Sequence, residues 1–195
     1  MQPKMIIVAG PPGSGKSTAF PVKDFGLDYF NADDRAAELN GGSYQDISPA
    51  IRNVVNKEYE QFVLKHIQSN KSFAIETTLR TEITFRQALE ARQAGFQIEM
   101  IYLTAGDLNT CLTRVIARGL SGGHSAPVEQ LKKIYRASLK NLPRAIRDID
   151  NIRIYDNSFA GKPPELVLEA QFGQPKYMLT PLPEWLSESM KEIEF

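Results

Sequence analysis

This 195-residue sequence predicts an α/β fold: a doubly wound, mostly parallel sheet of five strands with helices on both faces. Three observations carry that expectation. Apolar strand-like runs alternate with helical segments from Met5 to Tyr155. The first run, Met5-Ile6-Ile7-Val8-Ala9, is unbroken, as a parallel strand buried on both faces requires. Immediately after it stand Gly10, Pro11, Pro12, Gly13, Ser14, Gly15, Lys16 and Ser17, followed by Thr18, which satisfy the pattern G-x-x-x-x-G-K-[ST] in every required position.

The spacing of that loop has a chemical reason. Glycines at 10, 13 and 15 let the backbone fold tightly enough to aim successive N–H groups into a cup for phosphate oxygens. Lys16 can reach the β- and γ-phosphates of a nucleoside triphosphate, Ser17 can offer its hydroxyl to Mg²⁺, and a helix beginning there points its positive end at the anion. The expected ligand is therefore Mg²⁺-ATP, and the expected fold is that of a P-loop NTPase.

The first helix is expected from Lys16 to about Asp24, ended by Gly26. Asp28-Tyr29-Phe30 is a short second strand that delivers Asn31, Ala32, Asp33 and Asp34 before a helix over 35–39. Ser48-Pro49 opens a long helix with a capping hydroxyl and a proline at its first position, and Ile51, Val54, Val55, Tyr59, Phe62, Val63 and Ile67 mark its expected apolar face. Ser72–Ile75 is the third strand and runs into Glu76-Thr77-Thr78-Leu79-Arg80; a helix then continues through Ala94 to Gly95. Gln97–Leu103 is the fourth strand, and Asp107 caps a helix to Arg118. A glycine-rich stretch follows, so that about 114–127 reads as a mobile lid. Pro127–Asp150 is helical, with a bend expected at Pro143, and Ile152–Tyr155 is the fifth strand. These elements make a domain over 1–160. The remaining 161–195 read as an extension packed on it, with a hairpin over Leu166–Phe172 and Lys176–Leu179 and a terminal helix after Pro183.

Composition narrows the function classes. Lys plus Arg and Asp plus Glu number 23 each, so no global positive field holds a polyanion and nucleic acid is disfavoured as a partner. No apolar run is long enough for a bilayer and the first residues lack a secretory h-region, so a cytoplasmic protein without membrane contact is expected. Cys111 is the only cysteine, which rules out an intrachain disulfide.

In open parallel sheets, ligands bind beyond the carboxyl ends of the strands, so residues there carry most weight. Asp33 follows the second strand, where a carboxylate could deprotonate an acceptor hydroxyl as it attacks the γ-phosphate; Asp34 competes for that role, and either could simply cap a helix. Glu76 could hold a Mg²⁺-bound water or a substrate hydroxyl, with Thr78 beside it and Arg80 placed for an anionic substrate. Arg114 and Arg118 share a helix face and could stabilise the transferring phosphoryl, with Arg136 in reserve.

Lys16, Asp33, Glu76-Thr77-Thr78-Leu79-Arg80, Arg114 and Gly123-His124-Ser125-Ala126-Pro127 together resemble the zeta-toxin family of P-loop kinases, in particular its short branch. The similarity runs from the first strand to about Leu142. It implies a kinase that uses ATP to phosphorylate a small-molecule hydroxyl, UDP-N-acetylglucosamine being the substrate of the better-known members. It implies Asp33 as base, Glu76 and Thr78 as substrate contacts, Arg114 as a lid arginine, and an antitoxin-like protein as a partner. Where those members have Glu-Gly-Thr this chain has Glu76-Thr77-Thr78, and their second lid arginine aligns with His124. The competing reading is a nucleotide-dependent regulatory module that binds ATP without transferring phosphate.

Overall fold

The computed structural model describes residues 2–121 and 126–191. Strand β1 (Lys4–Ala9) lies in the middle of the sheet, paired in parallel with β3 (Phe73–Thr77) on one side and β4 (Gln97–Thr104) on the other. Strand β2 (Asp28–Phe30) adds to β3 and β5 (Asn151–Asp156) to β4, both in parallel. This is the expected five-stranded parallel core, but the sheet itself has seven strands. β6 (Glu165–Gln171) and β7 (Gln174–Met178) form the anticipated hairpin, and it continues the same sheet antiparallel to β5, giving the order β2-β3-β1-β4-β5-β6-β7. The pairing covers the hydrogen-bonding edge that β5 would otherwise expose, and it buries Val167, Leu168 and Ala170.

Alternation along β1 explains how one strand serves two layers. Met5, Ile7 and Ala9 enter the main core with Phe73, Ile75, Ile98, Met100 and Ile154. Helices α4 (Ile83–Gln93) and α6 (Val128–Asp148) pack there through Phe85, Ala88, Leu142 and Ile146. Ile6 and Val8 point the other way, against Phe20, Val22, Phe25 and Leu27.

Two helix boundaries differ from expectation. Helix α1 spans only Lys16–Ala19, because Pro21 lacks an N–H and its ring would clash with the carbonyl four residues back; the chain resumes as a 3-10 turn over Val22–Phe25. Helix α2 starts earlier than expected, at Ala32, and runs to Leu39. Asn31 is its cap, its side chain accepting from the amides of Asp33 and Asp34, so neither aspartate caps the helix. Helix α3 (Pro49–Gln68) begins as expected, with the Ser48 hydroxyl accepting from the Ile51 amide.

Helix α5 (Leu108–Leu120), capped by Asp107, carries Arg114 and Arg118 and runs two residues beyond its expected end. Of the stretch read as a lid, 114–120 is therefore regular helix, and Gly122, Gly123, His124 and Ser125 lie outside the described residues. Pro143 sits inside α6, and α7 (Glu184–Ser189) follows Pro183. Among the described residues no helix is long and apolar enough to cross a membrane.

Candidate active site

The P-loop connects β1 to α1 at the carboxyl edge of the sheet, and its glycines are required by close approach as well as by conformation. Gly10 has φ 142°, and a Cβ there would stand 1.9 Å from the Leu103 carbonyl oxygen at the end of β4. Gly13 has φ 80°, and its Cβ would stand 2.2 Å from the Cys111 carbonyl of α5. A Gly13→Ala variant is therefore expected to lose about 1–3 kcal/mol from backbone strain alone. Its thermal unfolding midpoint should fall and binding of ATP should be lost with it; an unchanged midpoint would show that the loop can relax around a methyl group.

Lys16 is buried, and its ammonium donates to the carbonyls of Gly10 at 2.8 Å and Pro11 at 3.2 Å. The Glu76 carboxylate at the end of β3 stands 3.9 Å away. Ser17 Oγ donates to both Glu76 oxygens, at 3.3 and 3.2 Å, and Asn31 Nδ2 donates to Glu76 at 3.4 Å. Burial lowers the pKa of Lys16, partly offset by the carboxylates of Glu76 and Asp33, while the Arg118 charge adds to the lowering. Burial raises the pKa of Glu76, opposed chiefly by Lys16 and by the Ser17 hydroxyl.

Each of these two groups thus lacks part of the counter-charge its burial demands. A polyphosphate would supply the anion that Lys16 wants, and a divalent cation the charge that Glu76 wants. Ser14 Oγ, in the loop, and Arg114 Nη1, on α5, are buried with no hydrogen-bond partner among the described residues. Among the described residues no cluster of three His, Cys, Asp or Glu could hold a metal on its own. One carboxylate and one hydroxyl suit Mg²⁺, which takes few protein ligands and relies on substrate phosphates for the rest.

Asp33 lies in the first turn of α2, two residues from Asn31, whose side chain bridges the Asp33 amide and Glu76. Its Oδ1 accepts from Arg52 Nη1 at 2.9 Å, and its side chain is 48% exposed, so a solute can reach it. Asp34 is engaged elsewhere, accepting a 2.8 Å hydrogen bond from the Tyr44 hydroxyl. Arg118 is exposed on α5, and its charge is felt at both Lys16 and Tyr44. Thr78 is half-buried and Arg80 exposed beyond β3, and no hydrogen bond or ion pair ties either to the Lys16–Glu76 network among the described residues. Thr77, by contrast, turns into the wall and bonds Thr84 and the Leu79 amide. His124 lies outside the described residues.

Sequence reasoning did not assign roles to Arg52, Tyr44, Asn31 or Asn157. Asn31 and Asn157 carried a usable signal, since both stand just past strand ends. Arg52 and Tyr44 carried none, because the turns of chain that bring them to Asp33 and Asp34 are set by how α3 packs.

A P-loop preceding a buried lysine, a carboxylate at the end of the adjacent parallel strand and a second acid on the next helix define a nucleotide-binding protein of the P-loop kinase fold. Residues 5–140 match the AAA domain family, and the chain belongs to it. No curated protein matches the chain by sequence. Its fold is similar to a structure of the PezAT chromosomal toxin–antitoxin system of Streptococcus pneumoniae, at 19% identity and TM-score 0.62, over 86% of this chain and 72% of that one. It is also similar to the structure of AvrRxo1-ORF1:-ORF2 with ATP, at 19% identity and TM-score 0.67, over 89% of this chain and 60% of that one. A third likeness is to a chain of the Pnkp1/Rnl/Hen1 RNA repair complex, at 20% identity and TM-score 0.57, over 73% of this chain and 46% of that one. These likenesses show a shared P-loop fold, and the chain spans less than two thirds of the length of the second and third of these structures.

Proposed function

We propose that the protein is an ATP-dependent phosphotransferase that moves the γ-phosphoryl to a hydroxyl of a small molecule, a nucleotide sugar of the UDP-N-acetylglucosamine kind being the first acceptor to test. The observation that carries this is the Asn31 bridge: one side chain links Glu76, beside Lys16 and Ser17, to the turn bearing Asp33. An accessible carboxylate is thereby held next to the phosphate cup, where a pure nucleotide switch has no use for one.

Mg²⁺-ATP supplies the phosphoryl group and the cation that neutralises its charge. The P-loop amides and Lys16 would hold the β- and γ-phosphates, and Ser17 and Glu76 would hold Mg²⁺. Asp33, oriented by Arg52, accepts the proton of the acceptor hydroxyl as its oxygen bonds to phosphorus and the bond to the ADP oxygen breaks. Arg114 and Arg118 meet the charge on the equatorial oxygens, and Thr78, Arg80 and His124 are the remaining acceptor contacts. The PezAT likeness supports an antitoxin-like protein as a partner, and a need for ATP fits a cytoplasmic reaction. The neutral chain argues against a nucleic-acid acceptor.

Purified protein with Mg²⁺-ATP is expected to transfer ³²P from the γ-position to at least one member of a panel of sugars, nucleotide sugars and nucleosides. Transfer to none of them, together with slow ATP hydrolysis and a protein partner whose affinity follows the bound nucleotide, would favour the regulatory module instead.

A further inference from the structure

Asn157 stands just past β5 and belongs to none of the roles above. Its amide donates to the Thr104 carbonyl at 2.7 Å, which ties it to the end of β4. Its side-chain Nδ2 donates to the Ser14 carbonyl at 2.9 Å, across 143 residues of sequence. A Cβ on Gly15 would stand 2.4 Å from that same Nδ2, so the contact needs a glycine at 15. Gly15 has φ 94°, a region that side chains also disfavour. Helix α1 does not compete for the Ser14 oxygen, since the amides of Thr18 and Ala19 both donate to the Gly15 carbonyl.

The consequence follows from the planarity of the peptide. The Ser14 carbonyl and the Gly15 N–H are opposite ends of one trans unit and point in opposite directions. A donor that holds the carbonyl on the β5 side therefore aims the Gly15 N–H away from Asn157. We propose that Asn157 is a positioning residue that presets the Ser14–Gly15 peptide for phosphate binding. The effect is pre-organisation: without the latch, the flexible Ser14–Gly15 unit would have to be turned at the moment of binding.

The proposal rests on the loop holding phosphate and is independent of the acceptor. Its test uses inorganic tripolyphosphate with Mg²⁺, which has no base or ribose and so isolates the phosphate contacts. Asn157→Asp keeps the shape but sets an acceptor against the Ser14 oxygen, and Asn157→Ser keeps a small polar group that cannot span the gap. Both are expected to weaken tripolyphosphate binding by about tenfold or more, the worth of one lost charge-assisted contact, with some fall in the ligand-free unfolding midpoint from the unpaired Ser14 oxygen. In the parent, the Gly15 amide proton should move downfield when tripolyphosphate is added, and in folded variants that movement should shrink.

Variants that fold and bind tripolyphosphate within twofold of the parent would overturn the assignment. If neither variant folds, the Gly15 amide of the parent decides: no movement on adding tripolyphosphate overturns it. Failure of the parent itself to bind tripolyphosphate is a different result, which removes the phosphate-binding reading on which the function rests.

Discussion

Arg114→Ala is expected to lower turnover with the best acceptor by about 10³–10⁵-fold, the range seen for arginines that meet the charge of a transferring phosphoryl group. Arg114 sits at the middle of α5, half-buried, with Nη1 shielded from solvent and unbonded among the described residues. Leaving a buried donor unsatisfied costs about 1–3 kcal/mol, a cost that a phosphate oxygen would remove. Removing the side chain should therefore stabilise the ligand-free protein slightly while slowing the reaction, and a thermal melt beside steady-state kinetics reads both. Arg114→Lys should restore little, because an ammonium lacks the planar fork of donors. Turnover within about tenfold of the parent would shift the role to Arg118 or Arg136.

Asp33→Asn should cut kcat by about 10²–10⁴-fold, the usual worth of a general base, with little change in the affinity for ATP. The substitution is informative because the local structure survives it. Asn31 still caps α2, and the amide oxygen of an asparagine can still accept from Arg52. The capacity to take a proton is removed, and with it the negative charge that pairs with Arg52 and acts on Lys16. Asp34→Asn serves as the control, since that carboxylate is bound to the Tyr44 hydroxyl and should be nearly silent in turnover. If the two variants behave alike in single-turnover transfer, Asp33 is not the base.

The parts of this protein that could be read directly were those whose cause is local. The P-loop, the Ser48 and Asp107 caps and the alternating strands each depend on residues a few positions apart. Gly10 and Gly13 were also legible as a motif, although the reason they cannot be replaced, the carbonyls of Leu103 and Cys111, comes from distant chain. Helix α1 is shorter than expected for an equally local reason: Pro21, five residues past its start, cannot continue it.

The sequence by itself determined the nucleotide loop, the five parallel strands around it and the two acids and two arginines worth testing, because spacing and side-chain type suffice for each. The tertiary structure alone decided that the terminal hairpin completes the sheet, that Asn31 joins Glu76 to the Asp33 turn, that Arg52 holds Asp33 and Tyr44 holds Asp34, and that Asn157 latches the loop. Those contacts join segments from 10 to 143 residues apart. They form only when helices pack on a sheet whose strand order differs from chain order, and no local pattern encodes which side chains such packing brings within reach.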